Sequence, residues 1–252
     1  MKIIGLIGVM GSGKDTVAEQ LRIQYDFVVI SLADSLKRLC ASVYLLPNEC
    51  LFGASHLRNY IHPAVSNAQY WSDCQERIHK EKQTIQKMFP AYLGFTAYRQ
   101  LLLMTQLFQE KEKERPGSLT ARYILQRIGT EWGRHIKDSV WLDQVKTIVG
   151  KIQNEDGTYS REEGFIPAAV KCGGIVIPDC RFENECRMVK ELEGTVVWVD
   201  ASKRVKPTGD THASEPTIEK FKNMIDIAVD NNYTREDLYS SVERMLNSST
   251  WG

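Results

Sequence analysis

The stretch Gly8-Val9-Met10-Gly11-Ser12-Gly13-Lys14-Asp15-Thr16 follows the apolar run Ile3-Ile4-Gly5-Leu6-Ile7 and opens an amphipathic segment. A buried strand, a glycine-rich turn and a helix start, in that order, form a phosphate-binding loop. Glycines let the backbone fold around an anion, so that successive N–H groups and the helix N-terminus point at it. The pattern G-x-x-x-x-G-K is met by Gly8, Gly13 and Lys14, with Met10, Gly11 and Ser12 lining the turn. Asp15 stands where Ser or Thr is usual, and the hydroxyl arrives one place later at Thr16. An extra carboxylate beside phosphates is repelled unless a cation lies between them. Asp15 is therefore expected to meet Mg2+ directly or through water, or else to face away, and Thr16 to donate to a phosphate.

Working outward, the chain has 252 residues, enough for one large α/β domain with an insertion. Its 32 basic and 32 acidic residues cancel, so no global field favours nucleic acid or an anionic membrane. Six cysteines, at 40, 50, 74, 172, 180 and 186, show neither a C-x-x-C pair nor zinc-ligand spacing, which points to a reducing compartment. The first apolar run is too short to span a membrane and leads straight into the loop, so a cytoplasmic protein is expected.

After the loop, Val17, Ala18 and Leu21 give helical spacing, and Phe27 to Ser31 reads as a second strand. A helix from Ala33 to about Leu46 ends before Pro47. The stretch from about 47 to 95 is irregular in pattern, with Pro63, Pro90 and Gly94 as breaks, and is expected to be an insertion, mainly helical. Residues of about 96 to 152 read as three helices: one to Arg115, one from Ser118 through Ile136, and one from about Ser139. Apolar strands at 174–178, 195–199 and 224–229 alternate with helices at about 183–192 and 234–246. That alternation predicts a three-layer α/β fold: a parallel sheet of about five strands with helices on both faces.

In such a sheet ligands gather at the carboxyl ends of the strands. The rule selects the loop itself, Asp34 and Lys37 after the second strand, Asp179-Cys180-Arg181 after the third, and the segment after Val199. Asp179 is expected to hold a metal's water shell or the loop, with a helix cap as the alternative. Arg181 can neutralise charge moving between two phosphates, or form a surface ion pair, and Glu185 four residues on can orient it. Arg122, Gln126, Thr130 and Arg134 fall every fourth residue, a polar stripe rich in donors and free of carboxylates, suited to a base edge and a phosphate dianion. Glu131 beside it is placed to hold an arginine or a sugar hydroxyl. Trp141 can stack on a base or belong to the core. Lys203, Arg204 and Lys206 lead into Asp210-Thr211-His212-Ala213-Ser214-Glu215-Pro216, so that about 200–216 is expected either to close over donor phosphates as a lid or to be an exposed linker.

Four islands together resemble the phage deoxynucleoside monophosphate kinases of the phosphate-loop nucleoside monophosphate kinase group. They are Gly8 to Thr16; Leu125 to Arg134 with Trp141 downstream; Asp179 to Glu185; and His212 to Glu215. The 47–95 stretch has no counterpart in this resemblance. The resemblance implies a P-loop kinase fold across residues 1–252 and transfer of the γ-phosphoryl group of ATP to a deoxynucleoside 5'-monophosphate, with Mg2+. It implies that Ser12, Lys14, Asp15 and Thr16 serve the donor phosphates and metal. Arg122, Gln126, Thr130, Trp141, Arg181 and Glu185 then form or support the acceptor site, to which the stripe adds Arg134. Neither nucleic acid nor membrane is implied as a partner, and a homodimer is compatible. Phosphomevalonate and dephospho-coenzyme A kinases share parts of the first and third islands, so another phosphorylated acceptor is the alternative, and an ATP-driven switch protein a more distant one.

Overall fold

A computed structural model describes residues 1–154, 157–167, 172–205 and 218–248. Along the chain the elements are β1 (Lys2–Ile7), α1 (Lys14–Tyr25), β2 (Phe27–Val29), α2 (Asp34–Tyr44), α3 (Asn48–Phe52), a 3-10 turn (Ser55–Asn59), α4 (Ala68–Lys80), α5 (Lys82–Lys87) and α6 (Ala91–Glu114). There follow α7 (Ala121–Gln126), a π-helical segment (Arg127–Arg134), α8 (Val140–Asn154), β3 (Gly157–Ser160), β4 (Gly164–Pro167), β5 (Gly174–Ile177), α9 (Glu183–Glu191), β6 (Thr195–Asp200), α10 (Ile218–Phe221), β7 (Ile227–Asp230) and α11 (Arg235–Asn247). The chain divides into two compact units, Met1–Leu32 with Val145–Gly252, and Ala33–Gln144.

The first unit is built on a five-stranded sheet in the order β2-β5-β1-β6-β7, with every pairing parallel. Its strands are short apolar runs because both faces are covered. On one face Ile4, Leu6, Val176, Val197, Val199 and Val229 pack with Val17, Ala18 and Leu21 of α1 and Leu238, Val242 and Met245 of α11. Gly5 points to the other face, since side chains alternate along a strand. There Val189 of α9 comes so close that a Cβ on Gly5 would lie 2.6 Å from its methyl. A sheet with helices on both sides and the glycine loop after its central strand is the P-loop kinase fold. The order places the ends of β5 and β6 on either side of β1, and the end of β2 beside that of β5.

Two boundaries and one hairpin depart from expectation for identifiable reasons. β2 stops at Val29: Ile30 still donates to the Val176 carbonyl at 2.9 Å, but the Ser31 hydroxyl turns to Asp179. β7 begins at Ile227 because the Asp226 carboxylate accepts the Val196 N–H at 2.7 Å, taking the place of a ladder bond. The antiparallel hairpin of β3 and β4 was not foreseen; Gly164 opens its second strand at φ 92°, a left-handed conformation that favours glycine. Within the 200–216 expectation, residues 206–216, including Lys206 and His212, lie outside the described residues.

The second unit is helical. The 47–95 stretch contributes α3, α4 and α5, and Gly94 sits inside α6 instead of breaking it. Trp71, Ile78, Ile85 and Phe89 from this stretch share one core with Tyr44, Leu101, Phe108, Ile128 and Trp132. The ring hydroxyls and indoles buried in that core find partners, as burial favours. Tyr44 and Thr105 share a hydroxyl bond of 2.8 Å, Tyr70 donates to the Tyr44 carbonyl at 2.7 Å, and Trp132 donates its indole N–H to the Ala97 carbonyl at 2.8 Å.

Candidate active site

The phosphate loop is held from inside and outside. Lys14 curls back so that its ammonium donates to the carbonyls of Gly8 at 2.6 Å and Val9 at 2.9 Å. Asn231, from the turn after β7, donates its amide to the Ser12 carbonyl at 2.8 Å. Gly13 precedes α1 at φ 96°, and a Cβ there would stand 2.2 Å from the Asn231 amide nitrogen, so this position needs glycine twice over. Ser12 is fully buried, whereas Met10 and Asp15 are exposed and Thr16 is half-buried. Asp15 lies in the first turn of α1, where the helix dipole favours a carboxylate. The first N–H groups of α1 have no partner within the helix, as at any helix start. The glycine-rich backbone, the N–H groups at the helix start and the Lys14 ammonium together make an anion receptor.

At the end of β5, Asp179 accepts from the Ser31 hydroxyl at 2.5 Å and from the Leu32 N–H at 3.3 Å. It thus joins the ends of two neighbouring strands, and it does not cap α9. That cap is Glu185, whose buried carboxylate accepts the N–H groups of Arg181 at 2.6 Å and Phe182 at 3.0 Å. Glu185 therefore orients Arg181 through its backbone, not through its guanidinium. The Arg181 side chain is exposed and pairs with no carboxylate among the described residues. Between Asp179 and Arg181, Cys180 is fully buried; burial pushes its thiol well above the usual range, and the nearby Cys186, Asp179 and Glu185 add to the effect.

The ends of β6 and β7 are cross-linked by two adjacent amides that sequence reasoning did not single out. Asn231 accepts from the Arg204 guanidinium at its backbone carbonyl, 2.5 Å away, and its N–H donates to the Asp200 carbonyl at 2.7 Å. Asn232 donates to the carboxylates of Asp200 at 2.9 Å and Asp230 at 2.8 Å, and accepts the Lys203 N–H at 2.7 Å. Burial opposes the charge on Asp200, but bonds from Ser202 and Asn232 outweigh it and hold the carboxyl below its ordinary value. Arg204 is thereby fixed near the loop by its tie to Asn231. The signal was the pair of amides directly after a strand; β7 was read one residue short, and the segment beyond it was not weighed.

In the helical unit the polar stripe is real and its winding is unusual. Arg122 and Gln126 lie on α7, and Thr130 and Arg134 on the π-helical segment. Residues four apart slide by about 40° per step around an α-helix. The wider i→i+5 winding takes more residues per turn and reduces that slide. Gln126, Thr130 and Arg134 are all exposed, and the side chains of Gln126 and Thr130 make no hydrogen bond with the described residues. Arg122 instead donates to the Ser55 carbonyl at 2.8 Å, and Glu131 pairs with Arg127. Trp141 is 4% exposed, with its indole N–H donated to the Gly129 carbonyl at 2.9 Å. A ring this buried has little face to offer a base, and its place is in the core against Gly129, Gly133 and Trp132. In the first turn of α2 Asp34 is fully buried, and Lys37 is buried with its ammonium 5.2 Å from the Phe52 ring centre.

No protein-family profile matches the chain. A protein of Acanthamoeba polyphaga mimivirus that bears the name "Putative deoxynucleotide monophosphate kinase" is 27% identical over 246 residues, covering 96% of this chain and 94% of the relative. Among the described residues no helix is long and apolar enough to cross a membrane.

Proposed function

We propose that the protein transfers the γ-phosphoryl group of ATP to a deoxynucleoside 5'-monophosphate, giving ADP and the deoxynucleoside diphosphate. The observation that carries this reading is the anion receptor after β1, with Lys14 folded over the loop at the start of α1. The mimivirus relative supports a nucleotide kinase, and the donor-rich face of Gln126, Thr130 and Arg134 supports a nucleotide as acceptor.

In the transfer an oxygen of the acceptor's phosphate attacks the γ-phosphorus, the bond from that phosphorus to the β,γ-bridging oxygen breaks, and ADP leaves with the electron pair. Such a reaction asks for positioning and cancellation of charge more than for covalent help. Lys14 and the loop N–H groups hold the donor, with Arg204 beside them. Arg181, unpaired among the described residues, follows the moving charge. Gln126, Thr130 and Arg134 receive the acceptor; Arg122 and Trp141 support that face, as Asp34 and Lys37 support α2.

Mg2+ binds through substrate phosphates, water and one or two protein oxygens. Asp15 and Thr16 are oxygen donors of that kind at the head of α1, and the carboxylate of Asp179 stands at the end of β5 as a candidate acceptor from a metal-bound water. When bound, the ion would neutralise the outer donor phosphates. Cytoplasmic nucleotide metabolism is the setting this activity implies.

The deciding experiment offers four deoxynucleoside and four ribonucleoside monophosphates with ATP and Mg2+ in a coupled ADP assay. At least one deoxynucleotide is expected to drive ADP formation with matching diphosphate product. ADP released at the same rate without any nucleotide acceptor, or only with dephospho-coenzyme A or phosphomevalonate, would overturn the reading.

A further inference from the structure

Asn231 reaches from the edge of the sheet into the phosphate loop, and the residue is 7% exposed. The peptide unit between Ser12 and Gly13 is planar and trans, so its C=O and N–H point in opposite directions. An amide that anchors the Ser12 carbonyl therefore sets the direction of the Gly13 N–H, away from Asn231. Gly13 has no side chain to interfere, and only for that reason can the amide come this close. Asn231 is itself immobilised: its N–H is donated to the Asp200 carbonyl at 2.7 Å and its carbonyl accepts from Arg204 at 2.5 Å.

We infer that Asn231 is a positioning residue for the donor phosphates: it pre-orients the Gly13 N–H and links the turns after β6 and β7 to the phosphate loop, so that Arg204 and the loop adopt their binding geometry together. The inference rests on the phosphate-loop part of the proposed function and not on the identity of the acceptor. Ligand binding to a receptor whose donors are already aimed avoids the cost of ordering them. Without the anchor the Ser12–Gly13 peptide is free to rotate, and the loop must be ordered by the ligand.

The test compares wild type, Asn231→Ala and Asn231→Asp for binding of inorganic tripolyphosphate, ATP and adenosine by titration calorimetry. Asn231→Asp keeps the side-chain volume and both backbone bonds while replacing the donor with an acceptor, so it carries the test if the alanine variant fails to fold. Both variants are expected to bind tripolyphosphate and ATP about tenfold more weakly, the equivalent of one hydrogen bond, with adenosine affinity unchanged. A purely structural role would weaken all three ligands alike or none, and either result overturns the inference. Wild-type protein that binds tripolyphosphate but phosphorylates no nucleotide would remove the acceptor reading and leave the role of Asn231 standing. Variants that bind tripolyphosphate as tightly as wild type would do the reverse.

Discussion

Trp141 donates its indole N–H to the Gly129 carbonyl at 2.9 Å, and the same ring lies against Gly133, where a Cβ would stand 2.4 Å from it. In a regular α-helix the Gly129 carbonyl would accept from the Gly133 N–H, so the indole bonds an acceptor that a regular turn would use, and its bulk lies against that turn. The missing side chain of Gly133 opens the surface that admits it. The tryptophan thereby holds the π-helical winding on which Thr130 and Arg134 are displayed.

Trp141→Phe keeps most of the ring and removes the donor. It is expected to lower stability by about 1 kcal/mol, while Gly133→Ala, which forces overlap with the ring, is expected to cost about 1–3 kcal/mol. Urea unfolding measures both. If the two variants unfold like wild type, the wedge plays no part in the winding.

Lys14→Ala removes the ammonium from the loop but leaves the sheet and its two covering layers untouched. Phosphoryl transfer is expected to fall by about 10^3-fold or more, with an unchanged far-UV circular dichroism spectrum. Turnover near the wild-type rate would take the donor assignment away from this loop.

Gln126→Ala deletes an exposed amide that makes no hydrogen bond with the described residues, so its effect on stability is expected to be within about 0.5 kcal/mol. For the acceptor, KM is expected to rise about tenfold, the worth of a ligand hydrogen bond, with a smaller change for ATP. Steady-state kinetics with each substrate varied in turn would show it; a change confined to the ATP constant would move the stripe to the donor side.

Alkaline pH should unfold the protein sooner than a chain of this composition would suggest. Burial raises the thiols of Cys40, Cys74, Cys180 and Cys186 and the phenols of Tyr44 and Tyr70, with Cys186 pushed up to about 12. These groups stay protonated in the fold while the unfolded chain releases its thiol protons from about pH 8.5 and its phenol protons from about pH 10. Above those values the unfolded state binds fewer protons, so their contribution is complete below about pH 8.5 and is lost as pH rises toward the folded values. The urea midpoint is expected to decline from about pH 8.5 and more steeply beyond about pH 10. A midpoint that stays level through that range would show that these groups titrate in the fold.

Much of the sheet unit could be read from local pattern. Short apolar runs announce parallel strands because both faces of each strand are buried, and the glycine-lysine turn announces its ligand because those residues have few other uses between a strand and a helix. Boundaries slipped where a side chain replaced a backbone partner, at Ser31 and Asp226, since such a bond depends on a residue far along the chain. The helical unit was less legible: the 47–95 stretch has no clean period because its residues face several neighbours in a shared core.

The amino-acid sequence by itself determined the strands of the parallel sheet, the phosphate loop and the polar character of the stripe, since these follow from contacts within a few residues of each other. Only the tertiary structure decided that Asp179 is tied to Ser31, that Glu185 caps the backbone of Arg181, that Trp141 is a buried wedge, and that Asn231 anchors the loop. Each of these joins residues 4 to 219 positions apart. At the longer separations the partner is chosen by strand order and helix packing, which no local spacing encodes.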